Sequence, residues 1–125
     1  MRQLLFAANW KMNIGPAEAR TYLAAYLAAF TKAYGRHPDR EVWFFPPAVS
    51  IEAAAQAVAQ RPDLRVGAQD IHWEPKGAFT GAISGQLAAQ AGARAALVGH
   101  SERRHVFGES DAATEKKVRA ALTAS

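Results

Sequence analysis

Two hydrophobic patterns alternate along this chain: short continuous apolar runs and longer stretches with helical spacing. Residues 4–8 form an apolar run of the length expected for a buried strand. Runs of similar character follow at 42–45, 65–68 and 95–98. Between these runs, and again over 111–121, apolar residues recur three and four positions apart, which predicts amphipathic helices. The pattern therefore predicts four successive strand–helix units.

Local signals indicate where the predicted helices begin and end. Pro16 suits the first turn of the first helix, because proline lacks an N–H that this turn would leave unpaired. Ser50 and Ser101 are placed to cap two later helices through their hydroxyl groups. Gly92 is expected to close a helix over residues 83–91, since glycine adopts the left-handed conformation common after a helix.

Short connections between strands and helices imply parallel strands joined by right-handed crossovers. We therefore predict a single α/β domain over residues 1–125. Helices on one side would curl the sheet toward a barrel, whereas helices on both sides would give an open doubly wound sheet. Four polar residues, Asn9, Lys11, Gln69 and His100, follow the ends of predicted strands. Ligands bind at that edge in both architectures, so this placement alone does not choose between them.

The composition of the chain excludes several classes of functional site. The chain has 125 residues, half of them hydrophobic, which suffices for one core. It contains no cysteine, which excludes disulfides, thiolate metal sites and a cysteine nucleophile. The four histidines show no metal-ligand spacing, so we expect neither a metal nor a cofactor. No apolar run is long enough for a membrane span, and residues 1–8 lack a signal-peptide core, so a cytoplasmic protein is expected.

The chain is basic, with a formal net charge of +4, which permits an anionic partner. Its densest basic groups, residues 103–105 and 116–119, lie among helix-forming residues, and we expect them to form a solvated helix face. The sequence has neither a glycine-rich phosphate loop nor a nucleic-acid-binding motif. We therefore expect no nucleic-acid partner.

Four motifs resemble the triosephosphate isomerase family in sequence, order and spacing: ANWKMN at 8–13, GAQD at 67–70, WEPKGAFTG at 73–81 and VGHSERR at 98–104. The resemblance covers essentially the whole chain but only about half of a family member. It implies the parallel (β/α)4 N-terminal half of a TIM-type (β/α)8 barrel. The implied reaction is the interconversion of glyceraldehyde 3-phosphate and dihydroxyacetone phosphate.

The resemblance also implies roles for individual residues. Lys11 matches a lysine that meets the phosphate and oxyanion of the substrate, and Asn9 matches an amide that contacts substrate. His100 matches the electrophile that polarises the carbonyl, and the helix that follows would favour its neutral form. Glu102 matches a carboxylate near these groups. It either pairs with Lys11 or is a first-turn acid that the helix dipole favours.

The loop over residues 70–81 resembles the segment that reaches into a neighbouring subunit in this family. Gly77, Phe79 and Thr80 would form the contact, with Thr80 touching the Asn9 region of the partner. The family usually has a glutamate after this threonine and glycine, whereas this chain has Ala82. The substitution weakens the expectation of a family-type dimer.

The other half of the family barrel would supply the general base, the lid and the phosphate-binding loops. We therefore expect little or no isomerase activity from this chain alone. A half-barrel also leaves strand edges open, which implies association with a second copy or with a complementary C-terminal half. The alternative functions are a non-catalytic half-barrel module that self-associates and a simple binder of triose phosphate or a similar small anion.

Overall fold

A computed structural model describes residues 2–35 and 37–124. Three parallel strands form one sheet in chain order: β1 (Leu4–Asn9), β2 (Arg40–Phe45) and β3 (Leu64–Val66). Each strand lies within a few residues of a predicted apolar run. The parallel order confirms the predicted α/β half-barrel.

The fourth predicted strand, residues 95–98, is shorter than expected. It is reduced to a parallel bridge between Ala96 and Ala68. The N–H of Leu97 donates to the carbonyl of Ala68, and the N–H of Ala68 donates to the carbonyl of Ala95, both at 2.8 Å. Gly99, with φ +68°, then turns the chain out of the extended conformation. The segment takes the fourth position in the sheet, but the prediction of a regular strand was wrong.

Five helices flank these strands within the described residues: α1 (Pro16–Ala33), α2 (Ile51–Ala57), α3 (Gly85–Gln90), α4 (Ser101–His105) and α5 (Asp111–Thr123). A 3-10 turn at Ala48–Ser50 leads into α2. None of these helices is long and apolar enough to cross a bilayer. Gly92 follows α3 with φ +110°, in agreement with its predicted role at the helix end.

Both serines predicted to cap helices act otherwise. Ser50 is fully buried, and its Oγ donates to the carbonyl of Ile14 at 2.8 Å instead of capping α2. A buried hydroxyl must hydrogen-bond, and Ile14 is the partner it reaches. Ser101 is the first residue of α4, and the cap is His100, whose Nδ1 accepts from the backbone N–H of Glu102 at 3.2 Å.

One face of the sheet packs against the helices and forms the core. Leu23 of α1, Phe44 of β2 and Ile51 of α2 are at most 2% exposed, and Val66 and Ala68 join them in the same cluster. Burial of such side chains contributes on the order of 2 kcal/mol each. The core therefore ties α1 and α2 to the middle of the sheet.

The opposite face of the sheet carries a stacked aromatic pair, Trp43 and Phe45, with ring centroids 6.2 Å apart. A β-carbon at position 67 would lie 2.3 Å from the Phe45 ring, so only glycine fits there. Nearer the start of the strands, Glu41 accepts from the Trp43 indole at 3.0 Å and pairs with Arg65 at 3.1 Å. This inner face ends, at the carboxyl edge, in the polar residues described next.

Candidate functional site

The carboxyl edge of the sheet brings together the residues predicted from strand ends. Asn9 ends β1, and Lys11 lies two residues beyond it; His100 caps α4, and Glu102 lies in the first turn of that helix. The Lys11 Nζ donates to Glu102 Oε1 at 2.6 Å. The side-chain nitrogen of Asn9 lies 3.3 Å from Nε2 of His100. Residues 91 positions apart in sequence thus form one cluster.

The backbone of Lys11 is held in a strained conformation. Its φ of +54° lies in the left-handed region, which non-glycine residues seldom adopt. Asn9 Oδ1 accepts from the Lys11 N–H at 2.9 Å. Gln69 Nε2 donates to the carbonyls of Lys11 and Phe45, each at 2.8 Å. Side chains of the site therefore fix both peptide groups of Lys11 and direct its ammonium group.

Gln69 has a structural role that the sequence did not reveal. Because Gln69 follows a predicted strand, the sequence placed it at the carboxyl edge of the sheet. Its position in the sequence did not indicate a role. In the structure it joins the Lys11 turn to the end of β2. An amide suits this task because its two N–H groups reach two carbonyls at once.

The neighbours of His100 select one tautomer of its ring. Its Nδ1 accepts the hydrogen bond from the Glu102 N–H, so Nδ1 carries no proton. The neutral ring then has its proton on Nε2. Asn9 already uses its oxygen to accept from Lys11 and presents its NH2 group to Nε2. Two N–H groups do not bond to each other, so the Nε2–H remains a donor for a ligand oxygen.

Glu102 fits both alternatives left open by the sequence, because it lies in the first turn of α4 and pairs with Lys11. The hydrogen bond from Lys11 lowers the pKa of Glu102; desolvation opposes this, and the positive charge of Lys11 adds to the lowering. The Lys11 and Glu102 side chains remain 55% and 45% exposed. The ammonium group is therefore accessible to an anion from solvent.

A second charged cluster corrects the prediction of a solvated basic helix face at one residue, Lys117; His105, Lys116 and Arg119 are exposed. Lys117 of α5 is only 5% exposed and donates to Asp70 at 2.7 Å and to Glu109. Burial would raise the pKa of Glu109, but the hydrogen bond from Lys117, with help from Thr114 and the charge of Arg103, lowers it overall. The cluster anchors α5 to the end of the sheet. Sequence reasoning missed it because Lys117 lies in a run of basic residues.

The loop predicted to contact a neighbouring subunit lies outside the Lys11 cluster. Phe79 is 44% exposed and its ring lies 4.6 Å from that of His72. Gly77, with φ +131°, allows the turn beneath Phe79. Thr80 is exposed beside it. A cavity of about 470 Å³ separates the base of this loop from α4 and α5 and is lined partly by Lys117. The subunit contact itself stays a prediction.

The cluster at the sheet edge offers cationic and N–H donors directed at one region. This donor set suits an oxyanion or phosphate oxygen. Within residues 2–35 and 37–124, no group of three metal-ligating side chains is close enough to hold a metal ion. The carboxylate in contact with the donors, Glu102, already pairs with Lys11.

Fold and site together define a class: a parallel β/α half-barrel with a cluster of polar and charged side chains at the carboxyl edge of its sheet. The triosephosphate isomerase family model matches residues 4–125, and the chain belongs to this family. The triosephosphate isomerases of Chloroflexus aurantiacus and Aquifex aeolicus are 44% and 42% identical to it, each match covering 98% of this chain and 47% of the relative.

A solved structure agrees with these matches. The crystal structure of triosephosphate isomerase from Bartonella henselae is similar with a TM-score of 0.83 at 34% identity, over 98% of this chain and 48% of that one. The chain thus spans about half the length of the relatives it matches and corresponds to their N-terminal portion.

Proposed function

We propose that this chain supplies the lysine and histidine side of a triosephosphate isomerase site, acting on glyceraldehyde 3-phosphate and dihydroxyacetone phosphate. The observation that carries the proposal is the convergence of Lys11, Asn9 and His100 at one edge of the sheet. Their donors suit the phosphate and carbonyl oxygens of a small sugar phosphate. The names of the matched relatives supply the substrate class.

In this proposal His100 and Lys11 act on the substrate, and Asn9 and Glu102 lie beside them. The Nε2–H of His100 donates to the substrate carbonyl oxygen and stabilises the negative charge that develops there when a carbon-bound proton leaves. The Lys11 ammonium group offsets the charge of that oxygen and of the phosphate. Asn9 positions the Lys11 backbone and borders the same space. Glu102 touches Lys11 rather than the reacting atoms and pairs with its ammonium group as a half-exposed counter-charge that an anion can replace.

The reaction also needs a base to remove the carbon-bound proton. Glu102 is a poor candidate, since its hydrogen bond to Lys11 lowers its pKa and makes it a weak proton acceptor. A positioned base contributes about 10²–10⁴-fold to such reactions. We therefore expect a 125-residue polypeptide of this sequence to show little or no turnover unless a complementary half supplies the base.

Isomerase assays test this proposal. The chain is produced in a host lacking its own isomerase and assayed alone and with the C-terminal half of the Chloroflexus aurantiacus relative. Turnover is expected only in the mixture and is expected to disappear with His100→Gln. The matched control is His105→Gln, an exposed histidine of the same helix. Turnover by the chain alone, or a mixture unaffected by His100→Gln, would contradict the proposal.

A second candidate, a half-barrel module without turnover, is favoured by the open sheet. Residues 4–8 were predicted to form a buried strand, but Leu4, Leu5 and Phe6 of β1 are each at least 50% exposed. The two candidates share the same fold and differ in activity. The contact loop with Gly77, Phe79 and Thr80 is proposed to meet a second subunit in either case.

A further inference from the structure

The direction of the His100 ring depends on the glycine that precedes it. Gly99 has φ +68° and joins segment 95–98 to the start of α4. Glycine adopts this left-handed conformation without strain, but it also leaves the backbone free to rotate. Rotation of the peptide group between Gly99 and His100 would change the direction of the imidazole ring. A group that holds this peptide therefore decides where the ring points.

The side chain of Arg104 in α4 holds this peptide. Its Nε donates to the carbonyl of Gly99 at 3.1 Å, and this carbonyl belongs to the peptide group that leads into His100. The backbone N–H of Arg104 donates to the carbonyl of His100, also at 3.1 Å. Arg104 therefore binds the carbonyl groups on both sides of the His100 α-carbon.

The guanidinium group of Arg104 is itself directed by α5. Its Nη1 donates to Oδ1 of Asp111, the first residue of that helix, at 2.6 Å. Because a guanidinium group is a planar fork, Nε and Nη1 can bond the Gly99 carbonyl and the Asp111 carboxylate at the same time. A lysine ammonium group does not reproduce these two fixed directions, so the arrangement requires an arginine.

Close packing around Gly99 supports the same interpretation. A β-carbon at position 99 would lie 2.8 Å from Cγ2 of Thr114 in α5 and 3.4 Å from both Nε and Nη2 of Arg104. The Arg104 side chain is 35% exposed, whereas that of Asp111 is 94% exposed. An ion pair with so exposed a carboxylate adds little stability. The contacts of Arg104 are therefore better explained by the direction they give to the backbone than by stability.

We propose that Arg104 is a positioning residue for His100 and acts through the carbonyl of Gly99. This inference rests on the proposed role of His100 in the isomerase site. With the peptide fixed, Nδ1 of His100 stays in place to accept from the Glu102 N–H at 3.2 Å, and Nε2–H remains a donor for a ligand oxygen. Without the Arg104 contact, the ring loses this single orientation while the core of the chain stays folded.

Nitrogen-15 NMR of the histidine rings tests the proposal at about pH 8.5, where ordinary histidines are neutral. The wild type should show one tautomer of His100, with its proton on Nε2, and Arg104→Lys should show a mixture of both tautomers. Arg119→Lys is the matched control, because Arg119 forms an exposed ion pair with Glu115. A mixture in the wild type, or a single tautomer in Arg104→Lys, would overturn the proposal. A failure of the proposed isomerase function would appear in the turnover assay and not in these spectra.

Amide hydrogen exchange separates positioning from overall stability. In Arg104→Met, the Glu102 amide should exchange about fivefold faster than in the wild type, the effect of weakening one capping hydrogen bond. The amide of Leu23, a fully buried residue of the core, should exchange at the wild-type rate. Acceleration by the same factor at both amides would show a loss of overall stability and overturn the proposal. An unchanged rate at Glu102 would overturn it as well.

Discussion

At the scale of single residues, Lys11 is held by two independent sets of contacts. Asn9 and Gln69 fix its backbone, whereas Glu102 contacts only its ammonium group. The backbone contacts maintain the strained turn, so the direction of the side chain does not depend on Glu102. The ion pair is half-exposed, and solvent screens the attraction within such pairs. An arriving anion can therefore replace Glu102 without rebuilding the site.

This division of contacts predicts the effect of Glu102→Gln. The variant removes the carboxylate that competes with an anion, and Lys11 stays in place. Phosphate should then bind up to about fivefold more tightly at low salt. Titration followed by NMR of the Lys11 region measures the change, with Glu74→Gln in the exposed loop as the control. Weaker phosphate binding in Glu102→Gln would show that Glu102 positions Lys11.

Glu109 presents the opposite case, a carboxylate whose partner is buried. Glu109→Gln leaves the Lys117 ammonium group buried with Asp70 as its remaining acid and should lower the free energy of unfolding by about 3 kcal/mol near neutral pH. Urea unfolding measures this loss. Glu115→Gln is the control, because the Glu115 pair with Arg119 is exposed. Equal effects of the two variants would contradict the structural role of Glu109.

The pH dependence follows from the same pair. The folded pKa of Glu109 lies below its ordinary value of 4.5, so its stabilising effect is present above pH 4.5 and is lost as pH falls through the folded pKa. The wild type and Glu109→Gln should therefore converge in stability in acid. A stability difference that grew as pH fell below 4.5 would contradict the pKa direction.

At the scale of elements, the sequence pattern predicted the three strands and the order of the helices. Periodicity sufficed there because each element buries one face in the core. The pattern failed at residues 95–98, where an apolar run alone could not show that Gly99 ends the extended conformation so soon. It also failed at Ser50, whose hydroxyl donates to the distant carbonyl of Ile14, and at Ser101, because the ring of the preceding residue, His100, accepts the hydrogen bond at the start of α4.

The end of α3 offers a direct test of backbone geometry. Gly92 has φ +110°, and a β-carbon there would lie 2.5 Å from that of Ala55 in α2. Gly92→Ala should therefore destabilise the chain by about 2 kcal/mol or more, from both strain and overlap. Gly35→Ala is the control, because a β-carbon at that position meets nothing within 4 Å. Thermal unfolding compares the stabilities of the two variants. A Gly92→Ala variant as stable as the wild type would contradict this backbone geometry.

At the scale of the whole molecule, half a barrel explains both the site and the open surface. Parallel strands bring Asn9, Lys11 and His100 to one edge, which is why strand ends in the sequence could predict the candidate site. The same partial sheet leaves one edge of β1 and one edge of segment 95–98 without a paired strand among the described residues. The role of Gln69 and the burial of Lys117 could not be predicted, since both depend on contacts between residues more than 40 positions apart.

The central claim is that the Lys11 cluster is a triose phosphate site even before a second half supplies a base. Isothermal titration of the wild-type chain with dihydroxyacetone phosphate tests it most directly, with Lys11→Met as the site variant and Lys76→Met in the exposed loop as the control. We predict weak binding, with a dissociation constant of about 1–10 mM, that Lys76→Met retains and Lys11→Met abolishes. Binding of equal strength in Lys11→Met, or no binding by the wild type, would contradict the claim.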